Sequence, residues 1–210
     1  MKAYGIATAV LLNPNYYDDT LQLLDHHQLS VKLLVDPLSP QLHISERENE
    51  NRTTLELLAA RIEQARACGK TIVLTNGVFD LLHAGHIQFL RYAKTLGDLL
   101  VVAIDSDESA RRLKGRGRPI NHERDRMLLI AALDMVDAVL LFEGEALPEL
   151  IRTLRPHIHV KGGDYGGKPS PVANVLQEIG TKSIVAPLFS NNLHTSQIVE
   201  RILALTSSKS

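Results

Sequence analysis

The 210-residue chain has no tryptophan and few other aromatics, five Tyr and four Phe, too sparse for a base-stacking surface. Its one cysteine, Cys68, excludes an intrachain disulfide and any multi-cysteine zinc site. An excess of charge of either sign is missing too. Twenty-three Lys and Arg stand against 24 Asp and Glu, so no basic field argues for a nucleic-acid partner. No apolar run approaches the length of a membrane span. Met1–Leu12 carries one Lys and a mildly apolar stretch, but Asn13-Pro14-Asn15 interrupts it and no small-residue cleavage pattern follows. These absences lead to the expectation of a soluble cytoplasmic protein with neither a membrane nor nucleic acid as partner.

What is present is alternation. Thr71–Thr75, Leu99–Ile104, Ala138–Phe142, Ile158–Lys161 and Ser183–Ala186 are short, rich in Val, Ile and Leu, and lack polar alternation. Strands buried on both faces of a parallel sheet read this way. Helix-like stretches fall between them: Ile87–Leu96, Ser106–Leu113, Glu123–Leu133, Ala146–Leu154 and Val172–Ile179, with Thr195–Leu205 at the end. The spacing predicts an α/β fold with a doubly wound parallel sheet, whose ligands bind beyond the carboxyl ends of the strands.

Ahead of this core, Leu55, Leu58, Ile62 and Ala65 share one face of a helix over Leu55–Ala67, ended by Cys68-Gly69-Lys70. The polar stretch Ser45–Arg52 reads as a linker. Residues 1–44 hold a candidate strand (Gly5–Leu12), helix (Asp18–His27) and strand (Val31–Val35). That is too little for an independent core, so the segment is expected to dock on the main domain or on a second subunit. The expected division is a small N-terminal extension, 1–52, and one main domain, 53–210.

Chemistry concentrates in Thr75–Leu90, TNGVFDLLHAGHIQFL. A buried strand runs into Asn76-Gly77, and His83-Ala84-Gly85-His86 opens an amphipathic helix. Backbone N–H groups and the helix dipole make such an end an anion site. Gly85 removes a side chain where a phosphate must come close. Two imidazoles three residues apart can serve the same phosphates from one helical turn. An HxxH pair alone is more often structural or half of a metal site, but no third ligand lies at zinc spacing. The compound pattern of strand, glycine turn, Phe-Asp, HAGH and helix is far more specific.

These residues resemble the HxGH nucleotidylyltransferase superfamily, the cytidylyltransferase-like enzymes, over roughly Lys70 to Leu205. Within it they are most similar to the adenylyltransferases of D-glycero-β-D-manno-heptose 1-phosphate, which belong to ADP-heptose and lipopolysaccharide synthesis. Arg112–Ile120 (RLKGRGRPI) looks like that subfamily's lysine loop, Lys161–Tyr165 (KGGDY) like its nucleotide-side loop, and His194–Ile202 (HTSQIVERI) like its last phosphate-binding helix start. Val78 stands where Cys is frequent, His194 where a small hydroxyl residue is usual, and Glu200 where a basic residue is common.

The resemblance implies a Rossmann-like fold and AMP transfer from ATP, with Mg²⁺, to a sugar 1-phosphate. His83 and His86 would contact phosphate oxygens, with Lys114 and Arg126 neutralising charge. Asn76, Gly77, Val78, Phe79 and Gly85 would line the nucleotide. Lys161, Gly162, Gly163 and Asp164 would address the nucleoside, and Thr195 and Ser196 the β/γ end. Asp80 would orient the loop or approach the substrate. A homodimer is expected. In bacteria this domain is often fused behind a sugar kinase, for which residues 1–52 are too short, so the kinase step is expected on another chain.

Read without the family, Lys114 lies in a glycine-flanked basic loop that is either solvated or a mobile lid over polyphosphate, and Arg116 and Arg118 read as solvated. Gly162–Lys168 nearly spells a P-loop, but Pro169 offers no hydroxyl. Of His157 and His159, which alternate along a strand, at most one faces the site. Rival readings are a cytidylyltransferase for glycerol phosphate or another alcohol phosphate, and a nucleotide-binding regulatory module without turnover.

Overall fold

The structure, a computed structural model, describes residues 10–12, 48–163, 171–189 and 195–207. Among the described residues six strands form one sheet: β1 (Val10–Leu12), β2 (Ile72–Gly77), β3 (Leu99–Asp105), β4 (Ala138–Phe142), β5 (Ile158–Lys161) and β6 (Lys182–Val185). Their order is β1-β4-β3-β2-β5-β6, with β2 to β6 parallel and β1 antiparallel on β4. The helices are α1 (Glu48–Ala67), α2 (Ala84–Lys94), α3 (Asp107–Lys114), α4 (Glu123–Ala131), α5 (Leu147–Leu154), α6 (Ala173–Glu178) and α7 (Thr195–Ser207).

The alternation along each strand splits the core into two layers. Ile72, Leu74, Val101, Leu140 and Phe142 pack against Leu58 and Ile62 of α1 and Leu150, Ile151 and Leu154 of α5. Val73, Leu100, Val102, Ile104 and Val139 face Leu90 and Ala93 of α2 and Met127 and Ile130 of α4. Truncating one of the fully buried leucines to Ala would cost about 2–5 kcal/mol. Gly97 is required at the turn from α2 into β3, because a Cβ there would lie 2.7 Å from Val73 Cγ2 and 2.8 Å from Thr71 O.

The chain steps outward from β2 through β3 to β4, then returns to place β5 on the other side of β2. The order therefore reverses at β2 and β5. In doubly wound sheets that reversal opens a crevice beyond the strand ends, and here the ends are Asn76-Gly77 and Lys161-Gly162.

Two expectations need amendment. The helix expected over Leu55–Ala67 starts at Glu48, inside the stretch read as a linker. Glu and Arg are good helix formers and acidic residues suit a helix N-terminus, so polarity alone did not separate a helical turn from a linker. The last strand is largely exposed rather than buried, as an edge strand can be. Of the early segment, Val10–Leu12 docks on β4 of the main domain, whereas Asp18–His27 and Val31–Val35 lie outside the described residues. No helix among the described residues is long and apolar enough to cross a membrane.

Candidate active site

β2 delivers its carboxyl end to a turn that only particular residues can make. Phe79 adopts φ 49°, rare for a residue with a Cβ. Its ring folds back so closely that a Cβ on Gly77 would sit 3.2 Å from Phe79 Cε2. His83 caps α2, its Nδ1 accepting the Gly85 N–H at 3.1 Å. The bond makes Nδ1 the acceptor, so a neutral His83 carries its proton on Nε2. The His83 and His86 rings stack, centroids 3.9 Å apart and 29° from parallel, with the Phe79 ring 5.3 Å from His86. Burial, then the neighbouring His83 and Lys114, lower the His86 pKa to about 4. At neutral pH His86 is therefore an N–H donor and not a cation.

These groups line a cleft of about 780 Å³ together with Asn76, Val78, Asp80, Gly85 and Lys114. Gly162 and Gly163 line its far wall, and Thr195 and Ser196 line it from the start of α7. Asp164 and Tyr165 lie outside the described residues. Lys161 does not reach the cleft lining; partial burial lowers its ammonium pKa. Gly163 has a packing reason of its own, since a Cβ there would lie 2.8 Å from Ala186 O.

Lys114 ends α3, followed by Gly115 and Gly117 at φ 87° and 81°, which lets the loop turn sharply. Arg116 is exposed and off the cleft. Arg118 corrects the solvated reading. Its side chain is 15% exposed, it lines the cleft, and its Nη1 lies 3.0 Å from Asp80 Oδ2, an ion pair off the hydrogen-bonding line. Asp80 Oδ1 accepts from Ile120 N at 2.8 Å and Asn121 N at 2.9 Å. Asn121 Nδ2 donates back to Asp80 O at 2.8 Å. Asp80 thus fastens the basic loop to the HAGH loop.

Arg126 needs a correction as well. Expected on phosphate, it has a fully buried side chain that does not line the cleft. Its Nε donates to Asn121 O at 3.1 Å, Nη1 to Val78 O, and Nη2 to Asp107 Oδ1 at 2.8 Å. Every branch of the guanidinium is spent on protein. Burial raises the Asp107 pKa, but the hydrogen bonds from Arg126 and His122 outweigh it, and the carboxyl stays below its ordinary range.

Sequence reasoning missed Asp105, Ser109 and Gly144 in the cleft wall. Asp105 ends β3 beside the reversal point, so the strand-end rule could have found it. It is buried, and Ser109 Oγ donates to its Oδ1 at 2.8 Å. Burial raises its pKa, with the Ser109 hydrogen bond and the Arg126 charge opposing. A Cβ on Gly144 would lie 2.6 Å from Ser109 Oγ, a constraint invisible in sequence. Of the alternating histidines, His157 Nδ1 accepts the Ile72 N–H at 2.9 Å, while His159 is buried beside Asn76. Among the described residues no three His, Cys, Asp or Glu side chains converge as a metal site.

Comparison with known proteins agrees with this geometry. Residues 74–201, more than half of the chain, match the cytidylyltransferase-like family model. The chain is 46% identical over 148 residues to the bifunctional protein HldE of Pelobacter propionicus, covering 70% of this chain and 30% of that protein. It is 39% identical over 181 residues to the bifunctional protein HldE of Desulfatibacillum aliphaticivorans, covering 85% and 35%. The chain thus spans about a third of the length of the curated relatives it matches. A crystal structure of the lipopolysaccharide core biosynthesis protein from Thermoplasma volcanium GSS1 superposes with TM-score 0.51 at 31% identity, covering 58% of this chain and 99% of that one. With HAGH at a helix start beyond the central strand and a family match across the whole cleft, the chain belongs to the cytidylyltransferase-like family and is a nucleotidyltransferase.

Proposed function

We propose that this domain transfers AMP from ATP to a sugar 1-phosphate, D-glycero-β-D-manno-heptose 1-phosphate, giving ADP-heptose and pyrophosphate. The observation that carries the transfer is the stacked His83–His86 pair at the start of α2, with Lys114 lining the same cleft. The sugar is supported by the KGGDY resemblance and by the likeness to a lipopolysaccharide core biosynthesis protein.

An oxygen of the acceptor phosphate attacks the α-phosphorus of ATP in line, forming one P–O bond as the bond to the β-phosphate oxygen breaks. The acceptor is already ionised at neutral pH, so no general base or covalent intermediate is required. Catalysis rests on positioning and on stabilising charge at the α-phosphate and the departing pyrophosphate. His86, held neutral, donates its N–H as a hydrogen bond there without acting as an acid, and Lys114 supplies the positive charge. Thr195, Ser196 and the N–H groups of the α7 start suit the β/γ end. Gly162 and Gly163 border the nucleoside side. Mg²⁺ would arrive with the nucleotide, need few protein ligands and neutralise phosphate charge.

His83→Ala and His86→Ala should each lower kcat by on the order of 10²–10³, with a much smaller loss of ATP affinity. Pyrophosphate release near the wild-type rate in both variants would remove the pair from the mechanism.

A further inference from the structure

β5 and β2 run parallel with His159 opposite Leu74, which places His159 beside the next residue on the same face, Asn76. His159 is 1% exposed, and its Nε2 lies 3.0 Å from Asn76 Oδ1. Its other ring nitrogen, Nδ1, is buried and has no hydrogen-bond partner. Asn76 lines the cleft one residue before the turn that leads to HAGH.

These facts fix two protons together. A neutral imidazole carries its N–H on one nitrogen only. On Nδ1 that N–H would be a buried donor with nothing to accept it, and such orphans are rare and costly. On Nε2 it meets Asn76 Oδ1, and only a lone pair is left unmatched. Burial, then the Lys161 charge, keep the ring neutral by lowering its pKa to about 4. With Oδ1 held by His159, the Asn76 NH₂ must turn the other way.

We propose that His159 is a positioning residue: its Nε2–H holds the Asn76 carboxamide so that the NH₂ faces the cleft and donates to a phosphate oxygen of the bound substrates. The proposal rests on the phosphate-transfer reading above and adds a donor pair that HAGH and the basic loop do not include. The reversed amide would present an oxygen to an anion, so a phosphate in the cleft and the imidazole tautomer favour the same orientation.

The test is a double-mutant cycle on the full chain. ATP affinity is measured by calorimetry, and turnover by pyrophosphate release from ATP and D-glycero-β-D-manno-heptose 1-phosphate. His159→Leu, which keeps bulk and removes the donor, should lower kcat/KM roughly three- to tenfold, the worth of one oriented hydrogen bond. His159→Gln, whose amide N–H can occupy the place of the ring N–H, should recover most of it. Asn76→Ala should match His159→Leu, and the double variant should be no worse than Asn76→Ala alone. Additive losses, or His159→Leu with wild-type kinetics, would overturn the proposal while the wild-type chain still turns over. A wild-type chain that neither binds ATP nor releases pyrophosphate would overturn the functional reading as well. Nitrogen-15 NMR of the wild-type imidazole stands apart from any variant's folding: a proton on Nε2 and none on Nδ1 is expected, and a proton on Nδ1 would refute the assignment.

Discussion

Replacing Arg126 with Met separates two roles that sequence alone merges. The guanidinium is fully buried and bonds to Val78 O, Asn121 O and Asp107 Oδ1. Methionine fills similar volume but deprives two part-buried carbonyls of their donor and the Asp107 carboxylate of one of several donors. Water reaches Asp107, whose side chain is 21% exposed, so its share of the cost is screened. The carbonyls dominate, and the sum is about 2–4 kcal/mol. For a chain of this size each kcal/mol lowers Tm by about 2–4 °C, so the expected drop is roughly 5–15 °C. A phosphate ligand behaves oppositely: removing it relieves repulsion among cations, leaves the unliganded Tm unchanged or higher, and weakens ATP. The assay is thermal unfolding of the unliganded chain at pH 7, followed by ATP calorimetry. An unchanged Tm with ATP affinity down tenfold or more would refute the structural role.

Three other outcomes follow from the same geometry. Lys114→Ala should slow turnover strongly and Arg116→Ala only weakly, with Arg118→Ala falling between them because it loosens Asp80; steady-state kinetics that rank Arg116→Ala as the most damaging would contradict the cleft assignment. His86 and His159 both have folded pKa values near 4, below their ordinary 6.5, so the unfolded chain binds protons that the folded chain refuses. Stability should be fully present above about pH 6.5 and fall towards pH 4, by on the order of 3 kcal/mol for each histidine, and denaturant titrations in which His159→Leu keeps the whole slope would disprove its share. Gly144→Ala forces a Cβ against Ser109 Oγ and should cost about 1–3 kcal/mol in the same titrations; a neutral result would mean that Ser109 swings away without loss.

The parallel sheet was legible because its strands are buried on both faces and therefore nearly continuous in Val, Ile and Leu. HAGH was legible as a helix start because a capping side chain and a glycine must stand there in a fixed local order. Arg126 was misjudged for a physical reason: an arginine that binds phosphate and one that bridges two loops have the same local sequence, and only the partners Val78 and Asp107, 48 and 19 residues away, tell them apart. Asp105 and Ser109 lie one helical turn apart at a strand end and could have been read there, whereas Gly144 escaped because its packing on Ser109 is tertiary. The exposure of the edge strand β6 escaped because burial depends on neighbours, which its own residues do not encode.

The central claim is that this cleft joins a nucleotide to a phosphorylated sugar. Pyrophosphate release, measured with each common NTP against a panel of sugar and alcohol phosphates in the presence of Mg²⁺, tests it most directly. The account predicts release with ATP and heptose 1-phosphate, little with CTP and glycerol phosphate, and loss of the signal in His83→Ala and His86→Ala. No release with any pair, or release that survives both substitutions, would contradict it.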